Sequence, residues 1–370
     1  MRRENRILTP RNSLAKMNPY IPGRSIESVA EDLGITDIIK MASNENPLGC
    51  PLTLKQFESS FNKVHYYANK ETELPLLRKL AFLHNVALEQ VILGNGSDEI
   101  IQMTAMAFLN PGEEVITSQH TFSQYTFVTH QMDGNLIETP MLDYTYDLSA
   151  IASKINKKTR LIFIANPNNP TGTIVTHQDF LDFLRRVPAH IVVLVDEAYC
   201  HYVDDPDYPD TIGLIKKFPN LIVTRTFSKI YGMAGLRVGY GLGQKALIQT
   251  LAKVKPPFNM NSIGLFAAEK VLNNDDHIKK SLKTNQSGKD YLYKELKSMS
   301  IEFIKTEANF ICLFFNCQSS IVFEALLKFG VIVRSLTSFG FENGIRVTIG
   351  PESYNKRFIQ ALKNIMSEIE

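Results

Sequence analysis

The chain has 370 residues, enough for one large domain or two with a substantial hydrophobic core. Hydrophobic residues at 44% and charged residues at 21% are typical of a globular protein. The 40 Lys and Arg residues nearly balance the 38 Asp and Glu residues, and the resulting net charge of +2 argues against a nucleic-acid or membrane partner.

The sequence shows no clear pattern for membrane insertion, secretion or disulfide bonding. No stretch approaches the roughly 18 consecutive apolar residues of a membrane span, and no apolar signal-peptide core follows the charged first residues. We therefore expect a cytoplasmic enzyme with reduced thiols and no metal site. Its cysteines have no CxxC spacing; they are Cys50, Cys200, Cys312 and Cys317.

The first 50 residues are rich in proline, asparagine and glycine and are predicted to be mostly irregular, apart from a short helix over 25–34. Tyr20 lies in a turn-rich segment before that helix. Asn46 belongs to an Asn-Glu-Asn-Pro sequence, whose simplest interpretation is a polar turn before a proline. Tyr67 follows within an aromatic pair, which in a generic protein is more often packing than chemistry.

Residues 91–99 predict a strand, a glycine turn and the start of a helix for which Ser97 is a good N-cap. The free N–H groups and positive dipole at a helix N-terminus suit a phosphate. The carboxylates of Asp98 and Glu99 also favour that position, however, and would repel a phosphate. This pattern therefore allows either a plain capped helix or an anion site.

Two further predicted strands are each followed by a candidate ligand-binding side chain. The strand over 114–117 precedes Phe122, although a lone phenylalanine is usually a core residue. The apolar run 161–165 ends in a turn of Asn, Pro, Thr and Gly that contains Asn169. The carboxyl ends of strands are where α/β folds collect ligand-binding groups, so we expect this turn at the edge of a site.

The clearest buried strand is predicted over 191–195, and it ends at Asp196. Because burying a lone carboxylate is costly, Asp196 needs a partner. An arginine is the usual structural partner, and a cationic group of a bound ligand is the alternative. Tyr199, three residues further on, lies close enough to act at the same site.

The apolar run 221–224 leads into a segment that carries hydroxyls, an amine, glycines and a guanidinium. The side chains of interest are Thr226, Ser228, Lys229 and Arg237. A neutral lysine amine can attack a carbonyl carbon, and an arginine can hold a phosphate by its planar fork of donors. A polar loop with an exposed lysine fits these residues equally well on their own.

The last third predicts a long helix over 275–298, a helix near 319–329 and strands over 310–314, 331–334 and 345–350. Arg334 and Arg346 each lie in a β-branched stretch. Single arginines on strands are usually surface residues, but two of them opposite the turn of Tyr20 would form an anion clamp.

The motif Ser-Lys-x-x-Gly-x-Ala-Gly-Leu-Arg-x-Gly-Tyr at 228–240 resembles the lysine segment of the fold-type I aminotransferases, which use pyridoxal 5′-phosphate (PLP). The resemblance extends over nearly the whole chain and is closest to the histidinol-phosphate aminotransferases. It implies an α/β fold, with a large PLP domain over 52–258 whose mostly parallel sheet is flanked by helices. A smaller α+β domain would combine 1–51 with 259–370.

The resemblance also implies roles for the candidate residues. Lys229 would hold PLP covalently and act as the general base, with Asp196 on the pyridine nitrogen. Asn169 and Tyr199 would contact the phenolic oxygen, and Phe122 would stack on the ring. The phosphate would lie among Ser97, Asp98, Thr226, Ser228 and Arg237.

Substrate and subunit contacts are implied in the same way. Tyr20 and Arg334 would bind the substrate phosphate, Arg346 the carboxylate of glutamate or the phosphate region, and Asn46 would lie in the wall of the site. Tyr67 would cross to the PLP phosphate of a neighbouring subunit, which implies a homodimer. The sequence departs from the family pattern at Tyr66, Ala68 and His120, where arginine, proline and proline are usual.

The implied reaction converts L-histidinol phosphate and 2-oxoglutarate into imidazole acetol phosphate and glutamate, within histidine biosynthesis. The nearest alternative is an aromatic amino acid aminotransferase acting on Phe or Tyr. A PLP-dependent decarboxylase of a phosphorylated amino acid would reuse the phosphate clamp. A non-enzymatic effector sensor in a transcription regulator is a further alternative of a different class.

Overall fold

A computed structural model describes residues 10–17, 19 and 23–369. Its helices are α1 Ile26–Leu33, α2 Leu54–Phe61, α3 Lys70–Leu83, α4 Ser97–Phe108, α5 Gln124–Gln131, α6 Leu148–Lys154, α7 His177–Arg186, α8 Thr211–Leu214, α9 Lys245–Ala252, α10 Ser262–Val271, α11 Asp275–Ser298, α12 Ser319–Lys328 and α13 Glu352–Ile369. Its strands are β1 Ile39–Lys40, β2 Val91–Gly94, β3 Glu114–Ser118, β4 Asn135–Thr139, β5 Met141–Leu142, β6 Thr145–Tyr146, β7 Thr159–Ala165, β8 Val192–Asp196, β9 Leu221–Thr226, β10 Gly239–Gly243, β11 Glu302–Phe303, β12 Phe310–Phe314, β13 Val331–Ile332, β14 Arg334–Ser335 and β15 Gly344–Thr348. Tyr20 lies outside the described residues.

The large sheet has seven strands in the order β2-β10-β9-β8-β7-β3-β4. β10 is antiparallel to both of its neighbours, and the other paired strands are parallel. Strands β7, β8 and β9 are almost wholly buried because both faces of a parallel sheet are covered, which requires continuous apolar runs. The strands predicted from those runs are confirmed.

The direction of these strands gathers the candidate residues at one edge. Because β10 runs antiparallel to β2 and β9, strand β2 runs in the same direction as β9. Strands β2, β3, β7, β8 and β9 therefore all end at the same edge of the sheet. The segments that carry the candidate side chains follow these strand ends directly, as expected for a ligand site in an open α/β sheet.

A second, four-stranded antiparallel sheet has the order β11-β12-β15-β14 and forms its own hydrophobic core with α11, α12 and α13. Strand β1 pairs in parallel with β13, so the N-terminal segment joins the C-terminal third. The strand predicted over 331–334 is wrong as one element. It divides at Val333 into β13, which pairs with β1, and β14, which enters the four-stranded sheet.

One sequence-based boundary needs correction, and a second stays a prediction. The N-cap of α4 is Gly96, with φ of 83°, rather than Ser97, which is already helical. Helix α10 packs against α2 and α3, and the core of the large sheet continues to Val271. The domain boundary at residue 258 stays a prediction, and these contacts favour a position beyond Val271. No helix among the described residues has the length and apolar character to cross a membrane.

Candidate active site

A cavity of about 420 Å³ lies at this edge, between the large sheet and the smaller one. Most of the predicted site residues line it: Ser97, Asp98, Phe122, Asn169, Asp196, Tyr199, Thr226, Ser228, Lys229, Arg237, Arg334 and Arg346. Neither Asn46 nor Tyr67 belongs to this lining.

Lys229 follows β9 in a turn that is fixed by its neighbours. The backbone N–H of Ser228 donates to Oγ1 of Thr226 at 3.1 Å. Gly232 has φ of 67°, and a Cβ there would collide with the carbonyl group of Gly49. Held in this turn, the Lys229 amine lies 5.5 Å from the centre of the Tyr199 ring, so it points into the cavity.

Asp196 is buried at the end of β8. Its carboxylate accepts hydrogen bonds from the Tyr125 hydroxyl and from the backbone N–H of Ala198, each at 3.2 Å. Burial, with a smaller contribution from the Asp98 carboxylate, raises the pKa of Asp196 to about 7. Hydrogen bonds alone therefore do not compensate for burying this charge, and the site suits a cationic partner.

An anion cradle is formed where α4 begins. Arg237, with φ of 53°, places its guanidinium 3.4 Å from the Ser228 hydroxyl and 3.2 Å from the Asp98 carboxylate. A Cβ on Gly96 would fall on that guanidinium, so glycine is needed there. With the N–H groups of α4 beside it, this cradle suits a phosphate. The ion pair with Arg237 offsets the repulsion expected from Asp98.

A flat slot lies next to the buried carboxylate. The Phe122 ring meets Tyr125 edge-on, with centroids 5.8 Å apart, and Tyr125 in turn donates to Asp196. On another wall, Asn169 Oδ1 accepts a hydrogen bond from Arg346. This leaves the Nδ2 donors of Asn169 for a ligand oxygen.

The N-terminal segment contributes three successive contacts that sequence reasoning missed. The carbonyl oxygen of Ala42 accepts from Arg346 at 2.8 Å. That of Ser43 accepts from the Lys229 amine at 3.2 Å. Asn44 Nδ2 donates to the Tyr199 hydroxyl at 2.9 Å. Residues 42–44 therefore hold one functional side chain each.

The Asn-Glu-Asn-Pro motif was the available signal, and the asparagine chosen from it was Asn46. Its amide instead donates to the carbonyl oxygen of Ile230 at 2.7 Å and to the Ser281 hydroxyl at 2.8 Å. Asn46 thus ties the turn after Lys229 to α11, and Asn44 lines the cavity. A substrate contact for Asn46 stays a prediction.

Arg334 and Arg346 are direct cross-strand partners between β14 and β15. The Arg346 guanidinium is buried, 5.3 Å from the Phe310 ring and 5.9 Å from the Phe339 ring. Arg334 is half-buried, and its Nη2 lies 3.5 Å from the Ser338 hydroxyl. Like charges directly opposite each other on a sheet are unfavourable, so the pair suits an anion bound between them.

Family comparisons agree with this geometry. The model of the family described as aminotransferase class I and II matches residues 36–362. The chain is 42% identical over 359 residues to the histidinol-phosphate aminotransferase of Moorella thermoacetica, covering 96% of this chain and 93% of that protein. It is 43% identical to the histidinol-phosphate aminotransferase of Caldicellulosiruptor saccharolyticus, covering 96% and 99%. This chain belongs to the histidinol-phosphate aminotransferase family.

Solved structures confirm the predicted fold of this aminotransferase. A histidinol-phosphate aminotransferase from Sinorhizobium meliloti, in complex with PLP, superposes with a TM-score of 0.89 at 22% identity, covering 99% of this chain and all of that one. A double mutant of the Thermus thermophilus aspartate aminotransferase gives a TM-score of 0.81 at 19% identity, covering 97% and 100%. Family membership confirms the predicted enzyme class and PLP as the cofactor.

The cavity residues of the aminotransferase fit PLP. Asp196 offers a buried carboxyl to a cationic ring nitrogen, and such a partner would offset the burial that raises the pKa of this group to about 7. The cradle around Arg237 fits the phosphate, Phe122 offers a face to the ring, and Lys229 brings an amine to the same space.

His120 replaces the usual proline without disturbing the ring slot. Its φ is 50°, a conformation that proline cannot adopt. The His120 ring stacks on Phe341 with centroids 4.1 Å apart, and its Nδ1 lies 2.5 Å from the carbonyl oxygen of Phe339. This departure therefore ties the turn before Phe122 to the loop that follows β14.

Tyr67 points away from the cavity of its own chain. It is 79% exposed and stacks on Phe258 with centroids 4.8 Å apart. Other large apolar side chains nearby in the sequence are also exposed: Leu54, Phe61, Val64, Tyr66 and Phe82. Large exposed apolar patches mark interaction surfaces.

Proposed function

We propose that this aminotransferase transfers the amino group of L-histidinol phosphate to 2-oxoglutarate, giving imidazole acetol phosphate and glutamate. We further propose that it does so in the cytoplasm, as an enzyme of histidine biosynthesis. The names of its relatives support this substrate. The observation that carries it is the direct cross-strand pairing of Arg334 with Arg346 at the cavity.

Each catalytic group of the chain has a separate role at or near the substrate Cα. Bound PLP supplies an electron sink for the charge that develops there. Lys229 removes the Cα proton as general base, and the carbonyl oxygen of Ser43 holds its amine in place. Asp196 supplies the negative charge that keeps the cofactor ring nitrogen protonated. Arg237 and Ser228 anchor the phosphate of the cofactor.

The two arginines select the substrate. Arg334 is the more exposed of the pair and lies towards Gly23 at the mouth of the cavity, so it binds the phosphate of histidinol phosphate. Arg346, buried beside Asn169, binds the carboxylate of glutamate or the phosphate region. Tyr20, although outside the described residues, completes the phosphate site in this proposal.

Replacing Arg334 by alanine should lower kcat/KM for histidinol phosphate by about 10²-fold, because a charge-assisted, bidentate contact to the phosphate is lost. Turnover of phenylalanine should change little, since phenylalanine has no phosphate. Steady-state kinetics with both amino donors measure the ratio. Equal losses for both donors would remove Arg334 from phosphate binding.

The matched control is Arg185→Ala, which removes an arginine from the surface of α7. Its side chain is 61% exposed and pairs with Asp182. Such exposed pairs contribute little, so this variant should keep the wild-type preference. A similar change in both variants would indicate a general effect of net charge.

We also propose that the enzyme is a homodimer in which Tyr67 reaches the PLP phosphate of the partner. Mixing Lys229→Ala subunits with Tyr67→Ala subunits tests this. A hybrid dimer has one site with both residues intact, so refolded mixtures should regain activity that neither variant has alone. No recovery in mixtures that sizing shows to contain hybrids would contradict a shared site.

A further inference from the structure

Asn44 lies directly behind the Tyr199 hydroxyl in the wall of the cavity. Its Nδ2 is 2.9 Å from the phenolic oxygen, and the residue is 1% exposed. The chemistry of this contact depends on which end of the amide faces the phenol, since Oδ1 only accepts and Nδ2 only donates.

Thr348 fixes that orientation. The backbone N–H of Asn44 donates to Oγ1 of Thr348 at 2.9 Å. The single hydroxyl proton of Thr348 is therefore free for Asn44 Oδ1, which lies 3.2 Å from the same Oγ1. With Oδ1 engaged as an acceptor, Nδ2 faces Tyr199.

The backbone of Asn44 is held as firmly as its side chain. Its φ is 56°, a left-handed conformation that asparagine adopts more readily than most residues. Its carbonyl oxygen accepts a hydrogen bond from Asn309 Nδ2 at 3.0 Å. The preceding residue, Ser43, is held in turn by the Lys229 amine. The amide is thus fixed on both sides.

Since Nδ2 cannot accept a hydrogen bond, the Tyr199 hydroxyl cannot donate one to Asn44. We infer that Asn44 is a positioning residue that holds the Tyr199 hydroxyl as a hydrogen-bond donor directed into the cavity, at the phenolic oxygen of the bound cofactor. This inference rests on the proposed function. An incoming hydrogen bond also strengthens the outgoing one.

Asn44→Asp reverses the contact at almost constant volume, and aspartate also tolerates a positive φ. The new carboxylate accepts a hydrogen bond from the Tyr199 hydroxyl. That hydroxyl is then no longer available as a donor to a ligand in the cavity. The pH at which the absorption band of the bound cofactor changes should then rise, because the ionised phenolic oxygen is less stabilised. The added negative charge shifts this midpoint as well, so a double-mutant cycle with Tyr199→Phe is required.

In the PLP-loaded proteins, the shift caused by Asn44→Asp should be about one pH unit larger with Tyr199 present than with Tyr199→Phe. The part of the shift that comes from the added negative charge is present in both backgrounds, so it cancels in the difference between them. Equal shifts in the two backgrounds would overturn the inference. Asn156→Ala, which removes an exposed asparagine outside the cavity lining and adds no charge, should leave the midpoint unchanged.

If Asn44→Asp does not fold, Asn44→Gly provides a second test, because glycine adopts the same φ. It should raise the midpoint by a smaller amount, and only when Tyr199 is present. A shift that persists in Tyr199→Phe would again contradict the inference. Wild-type protein without any cofactor band would contradict the proposed function itself.

Discussion

Replacing Lys229 by alanine is expected to reduce the rate of transamination by at least about 10³-fold, since general-base catalysis alone contributes about 10²–10⁴-fold. Alanine also removes the amine that we propose binds the cofactor covalently. No other described amine lines the cavity, so there is no neighbouring group to replace it. The measurement is kcat with histidinol phosphate and 2-oxoglutarate at saturating PLP.

Lys245→Ala is the matched control, because Lys245 is an exposed lysine at the start of α9. Borohydride reduction followed by peptide mass spectrometry provides a second readout, with the cofactor fixed to Lys229 in the wild type and the control. Full turnover by Lys229→Ala would show that the base has been assigned to the wrong residue.

Asp196→Asn is expected to lower kcat by about 10²–10³-fold, the size of effect seen when one preorganised electrostatic contact is removed from a buried site. Asparagine keeps the shape and can still accept from Tyr125, but it carries no charge to keep the cofactor nitrogen protonated. Activity near the wild-type value would exclude Asp196 from that role.

Asp196→Asn should also change how the stability of the cofactor-free protein depends on pH. The pKa of Asp196 is raised from 3.8 to about 7, so the folded state binds its proton more tightly than the unfolded state does. The stability that this proton contributes is present at low pH and is lost as the pH rises from about 4 to 7. Thermal melting should therefore show a smaller decline over that range in Asp196→Asn than in the wild type.

The large sheet and most of the site could be predicted because continuous apolar runs mark buried parallel strands. Side chains at the ends of such strands meet at one edge, which is why Asn169, Asp196 and Lys229 converge as expected. Contributions from the small sheet were harder to predict. That Arg334 and Arg346 are cross-strand partners depends on a register that the residue types do not encode.

What the sequence did not reveal depends on single backbone angles and on distant packing. Asn44 and Asn46 are two residues apart in one motif, and the positive φ of Asn44 helps to decide which amide enters the cavity. His120 likewise takes a conformation closed to proline, and its contacts are with Phe339 and Phe341, more than 200 positions away. Such contacts follow from the tertiary fold and leave no local pattern.

We propose that this cavity prefers histidinol phosphate as its amino donor. The most direct measurement mixes PLP-loaded wild-type protein with histidinol phosphate, and separately with phenylalanine, and follows the loss of the cofactor absorption band in a single half-reaction. We expect rapid conversion at low concentrations of histidinol phosphate and slow conversion with phenylalanine. The opposite preference would contradict it and would identify an aromatic amino acid aminotransferase.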